Sequence, residues 1–183
     1  GRPPNSGFHA EMAEACWPTL PIILEHAHYG NSIRRKAWNP ELLEASVEAY
    51  HASFMSIHGW PREVLDGNRD AIDRINQRMG YRIMPVAISW PDSVHSGTQQ
   101  DRYTEYRDMT AHGDLSHSFK VQWTWANKGV APCYPGGYPA LTLKDDQGGI
   151  VAVLVDEQFN LRDLKVGPRG EAPLTRLESD FII

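Results

Sequence analysis

Hydrophobic and polar positions along the chain follow two rhythms, and the change falls near Gly80. Residues 8–17 (FHAEMAEACW) read as a helix that Pro18 stops, because proline offers no amide donor and clashes with the preceding turn. Residues 20–24 (LPIIL) form a continuous apolar run, the mark of a strand covered on both faces. Polar residues then cluster from Glu25 to Asn39. Asn39 suits an N-cap and Pro40 the first helical position, and Leu43, Val47, Tyr50 and Phe54 mark the apolar stripe of the helix that follows. Residues 54–57 (FMSI) read as a second short strand, broken by Gly59-Trp60-Pro61. A longer helix comes next, with Leu65, Ile72, Ile75 and Met79 on one face and Gly80 as its C-terminal cap. Helix and strand alternate here as in a parallel sheet or barrel. Two strands cannot close a barrel, so this half calls for further strands.

Beyond Gly80 the period becomes two. Phe119, Val121, Trp123 and Trp125 alternate with Lys120, Gln122 and Thr124, which predicts a half-buried strand. Residues 141–143 and 150–155 flank Asp145-Asp146-Gln147-Gly148-Gly149 and read as a hairpin. Residues 81–88 predict another strand, and residues 179–183 the start of one more. Pro132, Pro135, Gly136, Gly137 and Pro139 mark turns. Short strands at this spacing suggest a β-sandwich. Residues 91–118 are polar and carry Asp101, Glu105, Asp108, Asp114, His95, His112 and His117. They read as a solvated connection, with a functional loop as the alternative.

The expected fold class is therefore α+β in several parts. Residues 1–79 are expected to be βα units of a parallel sheet or barrel, and the resemblance given below implies that they are the C-terminal βα units of a (β/α)8 TIM barrel. Residues 80–183 are expected to be an antiparallel β-sandwich, an accessory domain on that resemblance, and both parts are expected to be incomplete. The expected partners include the missing N-terminal barrel strands of the same parent chain.

Composition narrows the function classes. The net charge of -5 argues against nucleic acid and against an anionic membrane surface, since both select basic proteins. No apolar run approaches the ~20 residues that span a bilayer. No signal peptide is visible, but the opening Gly1-Arg2-Pro3-Pro4 has no Met, so an address could lie upstream; localisation is left open, with a secreted or periplasmic setting favoured. Cys16 and Cys133 have no metal-ligand spacing and read as free thiols. There is no G-x-S-x-G, P-loop or G-x-G-x-x-G motif.

The candidate chemistry lies in residues 20–30 (LPIILEHAHYG). Glu25 stands where the apolar strand meets its loop, and in a barrel the C-terminal strand ends carry the active site. A carboxylate there is placed to act as base or nucleophile. The alternative is a salt-bridge partner without a chemical role. His26, His28 and Tyr29 follow at once, and the second strand brings His58 and Trp60 to the equivalent rim. An indole at such a mouth can stack on the C–H face of a pyranose. Its alternative is packing against the barrel or the last helix. His26 and His28 also form an H-x-H pair, which two-residue spacing in a strand would hold on one side. No third ligand is assignable, so hydrogen-bonding histidines are the expectation, with no metal and no cofactor.

Residues 75–82 (INQRMGYR) and 125–132 (WANKGVAP) resemble an uncharacterised bacterial family, domain of unknown function 4832. That family lies C-terminal to barrels similar to glycoside hydrolases and β-galactosidases. Residues 141–145 (LTLKD) and Arg162-Asp163-Leu164 fit the same pattern, and the resemblance covers residues 78–183. Residues 1–79 are more loosely similar to the last two βα units of such barrels. The resemblance implies that Glu25 is the nucleophile at the end of strand seven in a retaining mechanism. Trp60 matches the aromatic residue that follows strand eight. The acid/base Glu belongs at the end of strand four, outside these residues. The implied function is action on poly- or oligosaccharides. The alternative is a non-catalytic carbohydrate-binding or scaffold protein.

Overall fold

The computed structural model describes residues 10–26, 28–36, 39–57, 59–94 and 118–182. Within them the chain is mixed α+β with several small sheets and no closed barrel. The order is α1 (Ala10–Cys16), β1 (Ile22–Glu25), α2 (Tyr29–Arg34), α3 (Pro40–Ala49), β2 (Ala52–Ser56), α4 (Arg62–Gly67), α5 (Arg69–Arg78), β3 (Ile83–Ser89), β4 (Ser118–Asn127), β5 (Ala140–Lys144), β6 (Ile150–Val155), a 3-10 turn (Leu161–Asp163) and β7 (Leu174–Ile182). Every α-helix among the described residues precedes Gly80, where the sequence rhythm changes. The chain divides into two compact units. The first holds residues 1–84, 126–137 and 161–173; the second holds residues 85–125, 138–160 and 174–183. The first unit thus takes in two later segments that periodicity alone groups with the strands.

In the first unit β1 and β2 pair in parallel, with Ile23 opposite Phe54, Leu24 opposite Met55 and Glu25 opposite Ser56. Leu24 and Met55 pack on a core of Leu43, Val47, Ala52, Trp60, Ile75 and Val130, so α3 and α5 cover that face. Ile23 and Phe54 lie on the other face and are 66% and 61% exposed. The side chain of Asn39 accepts a bond from the Leu42 amide at 2.9 Å and caps α3, as its residue type predicts. Three local expectations change. The helix α3 ends at Ala49, so Tyr50 and Phe54 lie beyond its stripe, Phe54 in β2. The single helix after Pro61 is two helices, α4 and α5, broken at Asn68, whose side chain donates to the Val64 carbonyl at 2.7 Å. An Asn side chain can replace a helical backbone bond in this way. The polar stretch after Glu25 also contains a short helix, α2, which lacks the apolar stripe that reveals a helix in sequence.

Residues 78–82 and 127–131 meet at the end of α5. Gly80 adopts φ +73, the left-handed conformation glycine supplies after a helix. The Gly80 carbonyl accepts the Ala131 amide at 3.0 Å, and the Arg82 carbonyl accepts the Lys128 amide at 2.8 Å. Asn127 is fully buried. Its amide oxygen accepts the Arg82 and Gly129 amides at 2.9 and 3.0 Å, and its nitrogen donates to the Ala131 carbonyl at 2.7 Å. Gly129 lies against this strand of backbone. A Cβ there would stand 2.1 Å from the Gly80 carbonyl oxygen and 2.7 Å from the Tyr81 Cα. The Asn-x-Gly turn is therefore a structural lock. Gly129→Ala is expected to lower stability by about 3 kcal/mol, the upper range for overpacking, because backbone cannot move aside. Gly30→Ala is the control. Apart from its chain neighbours and the backbone of its own helix, nothing lies within 4 Å of that added Cβ, and alanine in a helix is expected to gain ~0.5–1 kcal/mol over glycine. Urea unfolding of the two variants checks both; equal midpoints would refute the lock.

In the second unit β3, β4 and β7 form a three-stranded sheet in the order β3-β4-β7, and β5 and β6 form the expected antiparallel hairpin. Val121, Trp123 and Phe181 make the core, with Phe119, Trp125, Leu141, Leu154 and Leu177 packed around it. The predicted alternation in β4 thus buries the intended face. A strand extends over Leu174–Ile182, earlier than the apolar signal at residues 179–183, because Arg176, Glu178 and Asp180 occupy its outer face. Trp123 donates to the Ser179 hydroxyl at 2.7 Å, and Ser179 donates to the Asp156 carboxylate. Residues 95–117, including the acidic and histidine-rich part of the predicted loop, lie outside the described residues.

Candidate functional site

The site is built at the C-terminal ends of β1 and β2. Glu25 is the last residue of β1 and is exposed. Side chains alternate along a strand, so Glu25 shares the face of Ile23, two residues earlier, and not the helix-covered face of Leu24. Its register partner is Ser56, the last residue of β2. The His26 amide donates to the Ser56 carbonyl at 3.0 Å, which carries the parallel ladder one step beyond Glu25 and fixes its backbone.

Trp60 joins the two loops. Its ring meets His26 edge-on at 5.6 Å between centroids and Tyr29 in a tilted contact at 5.7 Å. It is 7% exposed and belongs to the core of the first unit. Trp60 therefore offers no open stacking face in this arrangement; it forms the floor on which His26 and Tyr29 rest. The physical reason is area: a buried indole contributes more by packing with Leu43, Val47 and Ile75 than by standing free in water. His28 is exposed and precedes α2. Its Nδ1 lies 3.5 Å from where a Cβ on Gly59 would be, so the loops after β1 and β2 converge. His58 lies outside the described residues.

Burial holds His26 below the ordinary imidazole value of 6.5, since removal from water penalises the charged ring. The unfolded chain then takes up this proton first as pH falls. The stabilising contribution is complete above 6.5 and declines as pH drops below it. His26→Phe keeps the contact with Trp60 and removes the titration. The variant is expected to show a flatter dependence of the urea midpoint on pH below 6.5 than the wild type; an unchanged slope would contradict this.

No group of three or more His, Cys, Asp or Glu side chains among the described residues could hold a metal ion. His26 is committed to Trp60, and His28 lies beyond the strand, beside Gly59. Cys16 and Cys133 are free thiols, the latter buried. A depression of about 270 Å³ at the starts of α3 and α5 is lined by Glu41, Asp66, Arg69 and Arg74, among others, and does not reach Glu25. Its arginines are paired, Arg69 with Asp66 at 3.0 Å and Arg74 with Glu44 at 3.1 Å. No helix among the described residues is long and apolar enough to cross a membrane.

The sequence places Ser56 at the equivalent rim of the second strand, but it does not pair Ser56 with Glu25 or mark Phe54 as a neighbour of the site. Counting by two back from Glu25 to Ile23 indicates which face Glu25 shares, but the register that adds Ser56 and Phe54 is a pairing between distant segments. The chain matches no protein-family model, no curated protein and no solved structure.

Proposed function

We propose that this chain forms part of a glycoside-hydrolase-like protein acting on poly- or oligosaccharides, with Glu25 as the nucleophile of a retaining mechanism. One observation carries the reading: Glu25 ends a parallel strand on the face opposite its covering helices. In a βα barrel that face is the interior, and the C-terminal strand end is where catalytic side chains stand. On this reading β1 and β2 are adjacent barrel strands, and Ile23 and Phe54 form an interior layer beneath the site. Further strands of the same protein complete the barrel and supply the acid/base carboxylate. His28 and Tyr29 line the sugar subsite, with His26 and Trp60 beneath them. The strands after Gly80 act as a β-sandwich accessory domain.

The carboxylate of Glu25 attacks the anomeric carbon while the acid protonates the departing glycosidic oxygen. Water then hydrolyses the glycosyl ester, with the acid now acting as base. The test is hydrolysis of a panel of aryl glycosides and bacterial or algal polysaccharides by a full-length protein that contains this chain. Cleavage with retained anomeric configuration supports the reading. Cleavage with inversion removes Glu25 as nucleophile, and binding without cleavage points to a carbohydrate-binding or scaffold role.

A further inference from the structure

We draw no further inference here: the strongest candidate, the exposed apolar row of Val151, Val153 and Val155 on the β5–β6 hairpin, carries nothing because nothing in the structure shows what covers it.

Discussion

Glu25→Gln, made in a full-length protein that contains this chain, is expected to abolish glycoside cleavage while leaving the fold intact. Glutamine keeps the shape of glutamate and accepts through one oxygen, but it cannot form the glycosyl ester. Loss of a nucleophile removes the covalent route itself, so the rate is expected to fall by several orders of magnitude. The competing role, an exposed ion-pair partner, is worth only ~0–1 kcal/mol of stability and leaves turnover almost unchanged. Fold integrity is expected to survive because Glu25 is exposed and the ladder beside it is backbone, from the His26 amide to the Ser56 carbonyl. The measurement is kcat/KM of wild type and variant on whichever glycoside the panel shows to be cleaved, with circular dichroism and thermal unfolding alongside. A variant that keeps most of its activity removes Glu25 from the chemistry. In a retaining site the partner carboxyl stands ~5–5.5 Å away, and the same substitution at that residue should slow the step that needs an acid.

Arg78→Met is expected to cost about 1–3 kcal/mol, the range for leaving buried hydrogen-bonding groups unsatisfied, since Glu48 is only half-buried. Arg78 is 6% exposed at the end of α5. Its guanidinium makes five hydrogen bonds. Nε and Nη2 donate to the two oxygens of Glu48 at 2.8 and 3.0 Å. Nη1 donates to the carbonyls of Lys128 and Gly129 at 2.6 and 2.9 Å, and Nη2 also donates to the Gly167 carbonyl at 2.6 Å. Methionine fills much of the volume but leaves three carbonyls and a carboxylate without this donor. Arg169 lies 3.6 Å from Glu48 and retains part of its charge balance. Arg78→Lys is expected to recover only a minority of the loss, because an ammonium carries three donors and cannot reproduce the planar fork. The check is urea unfolding with an unchanged dependence on denaturant. A loss below ~1 kcal/mol would mean the guanidinium is replaceable by water.

The two variants separate the layers of this protein. The structure gives Arg78 and Asn127 to the lock between α5 and the turn at residues 127–131. Their roles are folding requirements, whereas the proposed chemistry rests on Glu25 at the end of β1.

The sequence by itself determined the local elements whose cause is local. The period-two alternation of residues 119–125 produced β4, and the turn residues 145–149 produced the β5–β6 hairpin. Asn39-Pro40 opened α3, and Gly80 took the left-handed conformation after α5. The strand-end position of Glu25 was legible for the same reason: an apolar run followed by polar residues is a local signal. Tertiary structure decided whatever depends on pairing between distant segments. It placed Ser56 opposite Glu25, turned Ile23 and Phe54 to the open face, and drew Trp60 into the core beneath His26 and Tyr29. It also brought residues 126–137 and 161–173 into the first unit. These outcomes rest on strand register and on buried hydrogen bonds such as those of Arg78. One sequence shows a residue's capacity for such contacts; packing decides which partner it meets.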